Sequence, residues 1–181
     1  LHILKNFGDL FPNTKLNLGF DILSEAERKV LMKQAQIGIT HFISEHNSLE
    51  ILPVTSVKML PVMSSELFRE KKVKSQEDLK DIYQIVIGDK NPRGASFGLL
   101  ENGKKWRISE GNFKREIIFA GLGWGHLPDH MIEREIAENK LVVLEYEDIR
   151  PRELEINLIR LKKHQLGIVA KSLWEKLKGS C

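Results

Sequence analysis

An α/β fold of two lobes is the architecture this chain predicts. Three observations predict it. Short apolar runs with strand-like alternation recur between segments with helical spacing, which is the pattern of an α/β protein. Caps and breakers separate these segments at nearly every boundary. Finally, a strand and a helix follow a self-contained middle block and are expected to return to the first block. The expected lobes are 1–62 with 150–181, and 63–149. Two lobes joined by two crossings form a hinge and an inter-lobe cleft, and ligands bind in such clefts.

The elements follow in order. Leu1, Ile3, Leu4, Phe7, Leu10 and Phe11 repeat at helical spacing, and Pro12-Asn13 stops that helix. Lys15 to Phe20 alternates polar and apolar residues, as in a half-buried strand. Ser24-Glu25-Ala26-Glu27 reads as a capping box opening a helix to about Gln34. Ile37 to Thr40 is a short strand, and two apolar runs follow at Leu49–Val54 and Val57–Val62. Glu66 to Lys74 is a charged stretch, and Ser75 starts a short helix. Tyr83 to Ile87 is a strongly apolar strand, followed by a polar loop to Gly98. Trp106 to Ile108 is a strand, and Ser109 caps a helix reaching Ala120. Gly121 supplies its left-handed end. Then come a strand at Trp124–Leu127, a helix from Pro128 to Asn139, and a strand at Leu141–Leu144. A strand at Glu153–Leu161 and a helix at Leu166–Leu177 close the chain.

Composition removes several functional classes. The lone cysteine, Cys181, makes neither an internal disulfide nor a zinc site. The six histidines lack metal-ligand spacing, so no metal is expected. No apolar run reaches 18 residues, so no membrane-spanning helix is expected. No nucleophile, acid–base or metal pattern is legible, and no enzyme is expected. The net charge of +3 is uneven. Residues 150–181 hold eight basic and three acidic side chains. Lys162, Lys163, Lys171, Lys176 and Lys178 read as the solvated face of the last helix and its approach, rather than as a surface for nucleic acid.

Phe119-Ala120-Gly121-Leu122-Gly123-Trp124-Gly125-His126-Leu127-Pro128 resembles the A-G-x-G-x-x-x-x-P signature of LysR-type effector-binding domains. Helix 129–139 followed by Leu-Val-Val-Leu fits too, with Asn139 where the family usually has Gly. Phe7–Leu18 resembles the family's opening, and Leu161–Leu177 resembles its closing helix. Ala35–Ile39 resembles a family strand, with Gln36 in place of the usual acid. Pro61–Ser65 lies where the family often has a His-Pro pair, which is missing. A Rossmann reading of the glycines fits poorly, because here a helix precedes them.

The resemblance covers nearly the whole chain and implies a type 2 periplasmic-binding-protein-like fold. It implies a cytoplasmic, homodimeric or tetrameric transcriptional regulator. DNA would be reached only through an N-terminal helix-turn-helix domain that is absent here. The family's first sensing-domain strand is likewise expected before Leu1. A small-molecule effector, such as an organic or aromatic acid, would bind in the cleft. The alternative is a solute-binding protein serving a transporter.

Matched to the family pattern, four loops line the cleft. Ser24 offers a hydroxyl and helix amides to an anion, or simply caps the helix. Thr40, with His41 beside it, ends a strand; a surface histidine is the plainer reading. Asn91 and Ser96 are candidate hydrogen-bond donors and Arg93 a carboxylate clamp, in a loop that is otherwise merely solvated. Trp124 and His126 lie among glycines that let the backbone approach a ligand; alternatively, Trp124 is a core aromatic.

Overall fold

The computed structural model describes residues 2–19, 24–88 and 98–179. The chain divides into two compact units, Leu1–Ser56 with Glu155–Cys181, and Val57–Leu154.

The first unit holds helices α1 (His2–Leu10), α2 (Glu25–Leu31) and α6 (Ile168–Lys178). Its strands are β1 (Gly38–Thr40) and most of β7 (Arg152–Leu161), with the opening half of β2 (Leu49–Ser64). β7 lies between β1 and β2, and pairs antiparallel with β1 so that Thr40 faces Asn157. Val30, Leu49 and Ile159 form the core. Gly38 lets α2 close on the sheet, because a Cβ there would stand 3.0 Å from Ile159 and 3.1 Å from Val30. α1 packs on α6, and Trp174 of α6 is buried with the Arg160 guanidinium over its ring. Lys162, Lys163, Lys171 and Lys178 are exposed, as a solvated face requires, whereas Lys176 is partly buried.

The second unit contains the end of β2 with β3 (Gln84–Ile87), β4 (Lys105–Ile108), β5 (Trp124–Pro128) and β6 (Leu141–Val143). β5 and β6 both pair antiparallel with β2, whereas β5, β3 and β4 run parallel to one another. Helix α4 (Gly111–Phe119) follows β4 after two residues and packs on β3, β4 and β5. Short helices α3 (Ser65–Glu70) and α5 (Glu133–Ala137) precede β3 and β6. Both sheet faces are covered: Met63, Leu79, Trp124 and Leu144 fill one core, and Val62, Ile85, Ile118 and Leu127 fill the other.

Several expectations change. Lys15–Gly19 is exposed and unpaired with any described strand, because alternation makes a strand only where a neighbour accepts its hydrogen bonds. The two apolar runs after residue 48 are one 16-residue strand, in which Pro61 contributes its carbonyl to Leu144. Ser64 caps α3 by accepting from the Leu67 amide, inside what reads as a plain charged stretch. The helix expected over 128–139 is a 3-10 turn at Asp129–Met131 followed by α5. Asn139 ends it with φ +57°, and Gly121 ends α4 with φ +71°, both left-handed as expected. Glu110, not Ser109, caps α4, its two oxygens accepting from the Asn112 and Phe113 amides at 2.9 Å each.

The capping box at Ser24 does not form, since Ser24 makes no side-chain cap bond. Glu27 has a stronger use. Its buried carboxylate accepts from the Ser44 amide at 2.7 Å, the Ser44 hydroxyl at 2.8 Å and the Glu45 amide at 2.8 Å. Glu27→Ala strands these donors in a buried place, which costs roughly 2–4 kcal/mol. Urea unfolding of the variant should show that loss of stability, whereas Glu25→Ala, on the exposed side of α2, should change it little.

Candidate functional site

In the first unit, Thr40 is buried and its hydroxyl closes a local turn, accepting from the Phe42 amide at 3.0 Å. His41 is half-buried and holds a buried Nε2 without a hydrogen-bond partner among the described residues. Burial pushes its imidazole below the ordinary histidine pKa. Asn157, opposite Thr40 in register, keeps a buried Oδ1 without a partner among the described residues. Thr40, His41 and Asn157 therefore place polar groups together at the end of β1. Sequence reasoning missed Asn157, since nothing in a ten-residue strand pattern distinguishes an asparagine that faces inward. Ser24 stands at the start of α2, partly buried.

The second unit holds the denser group. Trp124 is 0 % exposed and its indole Nε1 finds no hydrogen-bond partner among the described residues. His126, on the same face of β5, is 3 % exposed, with ring centroids 6.5 Å apart. Gln84 on β3 fixes the chain beside them: its Nε2 donates to the Gly98 carbonyl at 2.6 Å, and its Oε1 accepts from the Leu100 amide at 3.0 Å. Gly98 has φ +64°, and a Cβ there would stand 2.6 Å from the His126 ring. Asn91, Arg93 and Ser96 lie outside the described residues. Tyr83 and Trp106 stack at 4.4 Å, each half-exposed.

The glycines around Trp124 serve the sheet. A Cβ at Gly123 would meet the Tyr83 carbonyl at 2.3 Å, and one at Gly125 the Ile85 carbonyl at 2.7 Å. They let β5 lie against β3 and thereby seat Trp124 in the core. On the opposite face, Lys114 of α4 lies under Gly125, its Cε 3.0 Å from where a Cβ would be. Lys114 is 8 % exposed, whereas its neighbour Phe113 is 56 % exposed, the reverse of the usual order. Sequence reasoning missed Lys114 for that reason: a lysine on an amphipathic helix reads as surface.

The electrostatics of this group are unusual. Burial lowers the Lys114 pKa to about 8, from 10.5. Its ammonium therefore costs the fold on the order of 3 kcal/mol at neutral pH, a cost relieved as pH rises from 8 to 10.5. His126 is lowered to about 4, first by burial and then by Lys114, with Arg152 adding to the effect against a hydrogen bond with the Arg150 backbone. The folded imidazole thus stays neutral where the unfolded one takes up a proton. Among the described residues, no cluster of three or more His, Cys, Asp or Glu side chains could hold a metal ion, and no helix is long and apolar enough to cross a membrane.

The two α/β units have the mixed α/β fold of the periplasmic-binding-protein-like class. A family model, the LysR substrate binding domain, matches residues 1–181, and the chain belongs to that family. Solved structures share the fold. Full-length LysG from Corynebacterium glutamicum with bound effector Arg aligns with a TM-score of 0.73 at 14 % identity, covering 98 % of this chain and 61 % of that one. ArgP from Mycobacterium tuberculosis gives 0.75 at 11 % identity, covering 98 % and 62 %. The apo regulatory domain of HypT from Salmonella typhimurium gives 0.69 at 15 % identity, covering 97 % and 87 %. The chain thus spans about three-fifths of the LysG and ArgP chains. No curated protein matches it.

The sign of the His126 shift makes a prediction. Between pH 6.5 and 4 the unfolded chain binds the extra proton, so stability falls with acid by up to about 3 kcal/mol. Denaturant midpoints of the chain and of His126→Leu, measured across that window, should diverge as pH falls, with the variant the less acid-sensitive.

Proposed function

We propose that the chain senses a small-molecule effector for a LysR-type transcriptional regulator and performs no chemistry. The family match over the whole chain carries this reading. It also disfavours the alternative of a solute-binding protein for a transporter. In this reading the regulator is cytoplasmic and works as a homodimer or tetramer. It meets DNA through a separate N-terminal domain.

Effector contacts are assigned to the polar groups gathered at the strands. In the first unit these are Ser24 and Thr40, with His41 and Asn157 adjoining Thr40. In the second they are Trp124 and His126, with Asn91, Arg93 and Ser96 from the segment that follows β3. The unpartnered indole N–H of Trp124 and the Oδ1 of Asn157 support this, because a buried polar group without a partner costs stability that a ligand can recover. A ligand biases the subunit arrangement only by its different affinity for the two states.

A thermal-shift screen with neutral and charged small organic molecules tests the proposal. A true effector raises the melting temperature in a saturable way, by about 2.7 kcal/mol of stability at a hundred times its dissociation constant. That rise should be lost in Asn157→Leu or His126→Leu. A folded protein that no member of a broad panel stabilises would contradict the sensing role.

A further inference from the structure

We propose that Asn102 and Gly103 form a self-modification site, at which the folded chain converts Asn102 to isoaspartate and loosens the entry to β4. Asn102-Gly103 is the single Asn-Gly pair of the sequence, and every other asparagine precedes a residue with a side chain. Asparagine is among the chemically labile residues. A glycine after it leaves the main-chain nitrogen unshielded, because no Cβ stands beside that atom.

The turn sets this pair out for reaction. Leu100 to Gly103 is closed by the Gly103 amide on the Leu100 carbonyl at 3.4 Å, a long bond that restrains the nitrogen weakly. Asn102 takes φ +57° in this turn, a left-handed conformation that asparagine tolerates. Its side chain is exposed, and no described residue hydrogen-bonds its amide.

The chemistry needs only water. The Gly103 main-chain nitrogen gives its proton to hydroxide and attacks Cγ of Asn102. The new N–Cγ bond forms, the Cγ–Nδ2 bond breaks, and ammonia leaves. Water then opens the five-membered ring. Opening at Cγ gives aspartate, and opening at the main-chain carbonyl gives isoaspartate. Isoaspartate routes the backbone through Cβ and Cγ, which adds one atom to the main chain.

The added atom falls between two fixed points. On one side, the Leu100 amide donates to Gln84 Oε1 at 3.0 Å. On the other, the Lys104 carbonyl accepts from the Gln84 amide at 2.9 Å, and the Lys104 amide donates to the Lys80 carbonyl at 3.1 Å. Gln84 is 2 % exposed and pairs with Lys105 in the register of β3 and β4. A longer chain between Leu100 and Lys104 cannot satisfy all of these bonds at once, so isoaspartate weakens the start of β4.

The test ages the purified chain for days at mildly alkaline pH, folded in buffer and, in parallel, unfolded in guanidinium. Peptide mass spectrometry follows each asparagine, and an isoaspartyl methyltransferase counts the isoaspartate formed. In the folded chain Asn102 should convert before any other asparagine, faster as pH rises, and at least a tenth as fast as in the unfolded chain. Gly103→Ala should react several-fold more slowly, since its Cβ shields the nitrogen. The aged parent should melt lower than the fresh one in proportion to its isoaspartate. Asn102→Gly keeps the left-handed turn without the amide, and should age with no such loss. The proposal is overturned if Asn102 reacts only when the chain is unfolded, if another asparagine reacts first, or if Gly103→Ala reacts as fast as the parent. It is equally overturned if the aged parent melts like the fresh chain, or if Asn102→Gly loses as much on ageing.

Discussion

The close approach of β5 to β3 and α4 is the constraint on which the second unit depends. Gly123 and Gly125 bring the strand to where any side chain would strike the carbonyls of Tyr83 and Ile85. That approach has consequences on both faces. On one it seats Trp124 and His126 beside Gln84 and Gly98, as polar groups buried at an otherwise apolar core. On the other it admits the stem of Lys114 beneath Gly125. A glycine pair that reads as turn chemistry is thus a packing device, and the unusual charges of the unit are arranged around it.

The order of helices and strands was legible because each apolar run has a breaker beside it. Gly121 and Asn139 do what residues tolerant of the left-handed region do. The errors have a common physical origin, which is competition from tertiary structure. Glu27 leaves the capping geometry for the buried amides of Ser44 and Glu45, a richer set of donors. Pro61 does not break β2, since it contributes a carbonyl rather than an amide to the sheet. Lys15–Gly19 has the alternation of a strand but no described partner.

The candidate site was less legible than the fold. Trp124 and His126 stood out through their glycines, and Thr40 through its place at a strand end. Asn157 and Lys114 did not, because burial of a polar residue is decided by what packs on it from distant segments. Lys114 inverts the hydropathy rule with Phe113, and such local inconsistencies concentrate where function is carried.

The central claim is that the second unit buries the Lys114 side chain and a neutral His126 imidazole on opposite faces of β5. Heteronuclear NMR titration of the Lys114 side chain and the His126 ring in the ligand-free chain reads this directly. Midpoints near 8 for Lys114 and near 4 for His126 are predicted. Midpoints at the ordinary 10.5 and 6.5 would contradict the account, because both groups would then be solvated or paired.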